Sequence, residues 1–160
     1  MNASATPTTA YIEPILKTIR VKASPARAFE VFTSGVTSWW NPQHSINPTK
    51  AAIDKVVLEP RVGGRWYERG VDGSECEWGR VLAWEPPSRV VIVWQVNTQW
   101  KFDANLHTEV EVHFDAQPSG ETLVTLEHRY LERLGENAAA QREMMNGGWG
   151  GLLALYAAKV

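Results

Sequence analysis

The chain has 160 residues, 44% hydrophobic and 21% charged, the size and make-up of one globular domain. Sixteen basic against eighteen acidic side chains leave a net charge of -2, which offers neither a basic face for nucleic acid nor a polybasic membrane anchor. The single cysteine, Cys76, excludes an internal disulfide and a cysteine-rich zinc site. No apolar run reaches the ~20 residues of a membrane span. Residues 1–13 lack a basic start and an apolar stretch, so they read as a disordered segment and not as a signal peptide. The expectation is one domain over residues 14–160 in a soluble, cytoplasmic protein.

Residues 14–22 alternate, with Ile15, Lys17, Ile19 and Val21 on one side, as a strand requires. Ser24-Pro25 then signals a helix start, with Ser24 as the cap. Ala28, Phe29, Val31 and Phe32 give that helix an apolar stripe, and Gly35 ends it. Val36, Trp39 and Trp40 suggest a second short helix, stopped before Pro42. Residues 41–50 read as loop.

From there the pattern is β. Strands are predicted over 52–59, 65–70, 76–85, 89–95, 108–115 and 121–130. Val71-Asp72-Gly73-Ser74 is a hairpin signal between the second and third of these. A two-residue loop there would put Tyr67 on the face of Trp78; a three-residue loop or a bulge would put Glu68 there instead.

Residues 137–160 form the one long predicted helix, with Met144, Met145, Trp149, Leu152, Leu153 and Tyr156 at helical spacing. Inside it lie Gly147, Gly148, Gly150 and Gly151. Each costs about 1 kcal/mol against alanine, so close backbone approach to the sheet, or a bend, is expected. The order predicts an α+β fold: a seven-stranded antiparallel sheet wrapped around a long C-terminal helix, with two short helices after the first strand.

This order resembles the START-like (SRPBCC) superfamily, the helix-grip or birch-pollen-allergen-like fold. Within it the chain is similar to homologues of the activator of heat-shock-protein ATPase. The matching residues are Ile19-Arg20-Val21 with Ser24-Pro25-Ala26-Arg27-Ala28-Phe29, Gly63-Gly64-Arg65-Trp66, Trp78-Gly79-Arg80-Val81, Pro86-Pro87-Ser88-Arg89-Val90, Thr125-Leu126-Glu127-His128 and Gly148-Trp149. The resemblance implies a cavity between sheet and helix. It implies three kinds of role: binding of a hydrophobic small molecule, cyclase or aromatase chemistry, or chaperone-ATPase binding. The last is the weaker expectation, because the larger eukaryotic activators carry a separate N-terminal domain.

Eight tryptophans are an excess for this length. They read either as an aromatic core or as the wall of a pocket. Trp39, Trp40 and His44 follow the short helices, where this fold opens its cavity. Trp66, Trp78 and Trp94 lie on strands, and Met144, Met145 and Trp149 on the long helix would form the cavity floor. His128 falls inward with Val124, Leu126 and Tyr130 if Glu127 and Arg129 face water. It is a core histidine or, beside a pocket, an acid–base group. Glu68 and Arg80 would enter the interior as an ion pair if both apolar strand faces look inward. His128, Glu68 and Arg80 are therefore the catalytic candidates.

The four histidines show no metal-ligand spacing, and there is no phosphate loop or nucleophile elbow. No metal or nucleotide cofactor is expected. The expected partner is a small apolar or aromatic molecule, with a homodimer left open.

Overall fold

Alternating apolar residues curl seven strands into one antiparallel sheet around the C-terminal helix. The computed structural model describes residues 10–160, so the expected disordered segment lies, through residue 9, outside the described residues. In chain order the elements are β1 (Ile15–Val21), α1 (Pro25–Phe32), a 3-10 turn (Val36–Ser38), β2 (Ile53–Leu58), β3 (Arg65–Gly70) and β4 (Glu75–Glu85). They continue with β5 (Arg89–Trp94), β6 (Thr108–Ala116), β7 (Thr122–Arg129), a second 3-10 turn (Leu131–Leu134) and α2 (Ala138–Lys159). The sheet order is β1-β7-β6-β5-β4-β3-β2. This is the α+β arrangement the sequence predicts. The turn at Leu131–Leu134 is an addition to it.

Ser24 caps α1 by accepting from the Arg27 N–H at 3.2 Å. Phe29 and Phe32 pack edge-on to Phe114 of β6, with ring centroids 5.3 and 5.7 Å away. The Thr37 hydroxyl donates to the Val56 carbonyl at 2.9 Å and accepts the Val56 N–H at 3.0 Å, tying the first 3-10 turn to edge strand β2. Helix α2 is fastened near both ends. Arg142 donates to the carbonyls of Glu13 and Pro14 at 2.7 and 3.0 Å. The buried Tyr156 hydroxyl donates to the Ala28 carbonyl at 2.7 Å.

The β3–β4 connection decides what faces inward. Gly70 N–H bonds the Ser74 carbonyl and Gly73 N–H bonds the Gly70 carbonyl, so the loop has three residues, Val71 to Gly73. Gly73 takes a left-handed φ of 83°. Glu68 therefore pairs with Cys76 and shares the inner face with Trp78. The register then shifts, Trp66 opposing Gly79 and Tyr67 opposing Glu77. This bulge turns Arg80 outward: it is exposed. The ion pair of Glu68 with Arg80 does not form, and Leu82 is likewise outside. Gly79 at the bulge lies so close to β5 that a Cβ there would sit 1.7 Å from the Val93 carbonyl oxygen.

Two further expectations are corrected. Strand β7 ends at Arg129, and Tyr130 takes a φ of 65° that swings its ring to the surface, away from His128. The helix glycines do not serve close packing. A Cβ on Gly147, Gly148 or Gly151 would meet nothing within 4 Å, and one on Gly150 would meet the tip of Lys17 at 3.9 Å. Helix α2 runs unbroken through all four.

Opposite outcomes follow for alanine at these glycines. Gly147→Ala or Gly151→Ala is expected to stabilise the protein by up to about 1 kcal/mol each, roughly 2–4 °C in Tm. Gly79→Ala is expected to cost about 3 kcal/mol or more, because only backbone could yield. Urea denaturation of the three variants checks both signs.

Candidate functional site

A cavity of about 440 Å³ opens between the sheet, α2 and the loop after the first 3-10 turn. Its walls are largely indole. Trp40 from the loop, Trp78 from β4, Trp94 from β5 and Trp149 from α2 all line it. With Trp66 behind them they form a closed circuit of rings. Centroids are 4.8 Å apart for Trp40–Trp78, 5.3 Å for Trp78–Trp66 and 5.6 Å for Trp66–Trp94. The circuit closes at 5.9 Å for Trp94–Trp149 and 6.4 Å for Trp149–Trp40.

Every lining indole of that circuit has its N–H committed to protein. Trp40 donates to the His44 carbonyl at 3.1 Å and Trp94 to the Val96 carbonyl at 3.1 Å. Trp78 donates to Glu68 Oε2 at 2.8 Å and Trp149 to His128 Nδ1 at 3.2 Å. What these four rings offer the cavity is therefore carbon surface. Apart from indoles, the polar lining side chains come from one stretch, Gln43, His44 and Ser45.

Glu68 is fully buried and takes three donors. The Ser45 hydroxyl bonds Oε1 at short range, and the Ile46 N–H and the Trp78 indole bond Oε2 at 2.9 and 2.8 Å. Ser45, Ile46 and Trp78 all line the cavity, so one carboxylate holds three pieces of its wall from behind. Neutral donors take the place that the sequence reading gave to Arg80. Cys76 lies alongside, where burial, with the charges of Glu68 and Glu77, pushes its thiol up to about 11. It stays protonated and unreactive at neutral pH.

His128 is fully buried behind Trp94 and Trp149 and does not reach the lining. Its Nδ1 accepts from Trp149, and its Nε2 lies 2.9 Å from the Thr108 hydroxyl. That hydroxyl donates to the Trp94 carbonyl at 3.0 Å, so Nε2 carries the proton and donates to it. Both ring nitrogens are occupied. Burial alone pushes the imidazole down to about 3, which keeps it neutral. Its work is to join α2, through the Trp149 indole, to β6 and β5, through the Thr108 hydroxyl and the Trp94 carbonyl that accepts from it.

The structure thus brings Trp40, His44, Trp78, Trp94, Met144, Met145 and Trp149 together around the cavity. Trp66, His128 and Glu68 stand one layer behind. Trp39 is core: its indole donates to the Val31 carbonyl at 2.9 Å and packs on Phe32 and Tyr156. Arg80 is on the outer surface. Trp100, Gly148 and Ser45 line the cavity without having been singled out as ligand contacts from sequence. Trp100 sits in the excursion between β5 and β6 with a φ of 58°, held by its N–H to the Asn97 carbonyl. Asn97 and Asp103, whose side chains accept nearby backbone N–H groups, were the legible turn signals.

A family model described as Activator of Hsp90 ATPase homolog 1-like protein matches residues 22–156. The comparison with curated proteins gives no match. Among solved structures, an anthrahydroquino-γ-pyrone synthase, Txn09, complexed with SUM, is 37% identical. The match covers 94% of this chain and 98% of that one, with a TM-score of 0.66. A self-sacrificing resistance protein, CalC from Micromonospora echinospora, is 30% identical, covering 92% and 93%, with a TM-score of 0.69. Protein MLL2253 from Mesorhizobium loti shares the fold at 15% identity, covering 90% and 93%, with a TM-score of 0.65.

The neutral His128 links stability to pH. Its folded pKa lies below the unfolded 6.5, so the unfolded chain binds the extra proton as pH falls. The stabilisation is complete above pH 6.5 and is lost on acidification, by about 2 kcal/mol at pH 5. Burial raises the Glu111 carboxyl, but bonds from Arg89, Arg129 and His113 outweigh that and hold it near 2, so its contribution is lost only below about pH 4.5. Urea denaturation at pH 7 and pH 5 is expected to show the drop. His128→Gln, which keeps an acceptor and a donor but cannot titrate there, is expected to flatten it.

Proposed function

Taking as premise that the chain belongs to the Activator of Hsp90 ATPase homolog 1-like family, we propose that its cavity binds a flat, largely apolar aromatic small molecule with one polar edge. The carrying observation is the wall itself: five indoles, four of them with the N–H turned into protein, around about 440 Å³. That volume suits a small-molecule site. Offset and edge-on aromatic contacts reward flat rings over flexible chains, which lose more freedom on binding. The polar edge would meet Gln43, His44 and Ser45. The name of the 37%-identical synthase supplies the class to try first, a fused anthraquinone-type ring system.

The same identity favours a second reading, ring closure on such a molecule. Under it the reacting edge would lie at Ser45, backed by Glu68. His128 would orient the walls and take no proton, since both its nitrogens are engaged. Arg80 has no part in either reading. Chaperone-ATPase binding rests on the family's name alone.

Titration of the tryptophan emission with anthraquinone and with palmitate tests the proposal. Anthraquinone is expected to quench saturably and to raise Tm, palmitate to do neither. Gly148 lines the cavity between Met144 and Leu152, with open space in front of it. Gly148→Leu is therefore expected to keep or raise Tm while abolishing the quenching. A flat response to both compounds, or unchanged quenching in Gly148→Leu, would count against the cavity.

A further inference from the structure

We infer that the ligand carries a phenol-type hydroxyl and that Ser45 receives it as a hydrogen-bond acceptor. The inference rests on the cavity reading above. It begins with the proton inventory at Ser45. A serine hydroxyl has one proton to give and two lone pairs to offer. At Ser45 the proton goes to Glu68 Oε1. One lone pair takes the Asn47 N–H at 3.3 Å. One lone pair remains, on a residue that lines the cavity. Toward a ligand, Ser45 can only accept.

Glu68 fixes this direction. Its Oε2 is already occupied by two N–H groups that can only donate, from Ile46 and Trp78. The Ser45 proton is held on Oε1 by a fully buried partner with which water does not compete. The neighbouring loop is also fixed: the Asn47 side chain donates to the Ser74 hydroxyl at 2.7 Å, anchoring residues 45–47 to the β3–β4 hairpin. An aromatic hydroxyl gives its proton readily, and its ring lies in plane with the group that the indole walls accept. A ligand carbonyl or ether set against Ser45 itself would instead face a lone pair with no donor between them.

Glu68 is thus a positioning residue for specificity. It acts through Ser45, and an isosteric change should reverse it. In Glu68→Gln the amide oxygen can replace Oε2, keeping Ile46 and Trp78. The amide NH₂ then faces Ser45 and donates to it. Ser45, now accepting from Gln and from Asn47, turns its own proton to the cavity and becomes a donor.

The test uses 2-hydroxyanthraquinone and 2-methoxyanthraquinone, followed by tryptophan quenching in wild type, Ser45→Ala and Glu68→Gln. Wild type is expected to bind the hydroxyl compound about tenfold more tightly than its methyl ether, the worth of one such hydrogen bond. Ser45→Ala is expected to close that gap by weakening the hydroxyl compound. Glu68→Gln is expected to shift the preference toward the ether, a reversal that general loosening of the wall would not produce. Equal affinities in wild type overturn the inference and leave the aromatic-cavity reading standing. So does an unchanged preference in Glu68→Gln with an unaltered Tm. Failure of both compounds to bind wild type overturns the cavity reading itself.

Discussion

The buried carboxylate of Glu68 is the constraint on which the cavity depends. A charge-bearing group in a protein interior is costly unless its oxygens are met by donors. Here those donors come from two places, the loop after the first 3-10 turn and the indole of β4, which the Trp40–Trp78 packing and the Asn47–Ser74 bond also hold together. Satisfying the carboxylate therefore pulls the loop down onto the sheet. The loop in turn carries Trp40 and His44 to the mouth. A hydrocarbon at position 68 would leave the Ser45 hydroxyl, the Ile46 N–H and the Trp78 indole without their acceptor, and the loop held by the Asn47–Ser74 bond and the Trp40–Trp78 packing alone.

A similar division of labour runs through the aromatic wall. Large rings give burial and shape, but each indole brings an N–H that has to be paired. The fold settles this with backbone carbonyls for Trp40 and Trp94, Glu68 for Trp78 and His128 for Trp149. The polar partners of these rings are moved one layer back, and the inner surface is left apolar except along Gln43 to Ser45. Of the three titratable groups that looked catalytic in sequence, Glu68 and His128 stand in that outer layer and Arg80 is on the surface.

The fold was legible because alternation, caps and turn residues agreed along the chain. Ser24-Pro25, the run from Arg89 to Gln95 and the alternation of Thr108–Asp115 each carried enough signal alone. Individual facings were less legible where one residue shifts the register. At Trp78–Gly79 a bulge reversed Arg80, and nothing in the local composition separates that from a straight strand. Gly79 was the clue, but a strand glycine marks a bulge or a close approach without saying which side chains it turns. Tyr130 failed for a related reason, since the left-handed turn after Arg129 has no glycine to announce it. The seven candidate residues that do line the cavity were reached from the family's implied architecture joined to the tryptophan excess. Ser45 was not, because a serine in a polar loop looks like solvent-facing turn until Glu68 is seen behind it.

Helix α2 has an unusual distribution of constraint along its length. Its ends are tied, by Arg142 to the chain before β1 and by Tyr156 to α1. Its middle holds four glycines whose missing side chains no neighbour requires. Most helices open from their termini inward, as amide hydrogen exchange records. In this one glycine favours the unwound chain at the centre, so the cost of opening there is lowered against the buried Trp149 that holds it. Trp149 stands at that centre. One side of the cavity is thus a backbone segment of lowered local resistance, and the traffic of solvent protons there reports how often it yields.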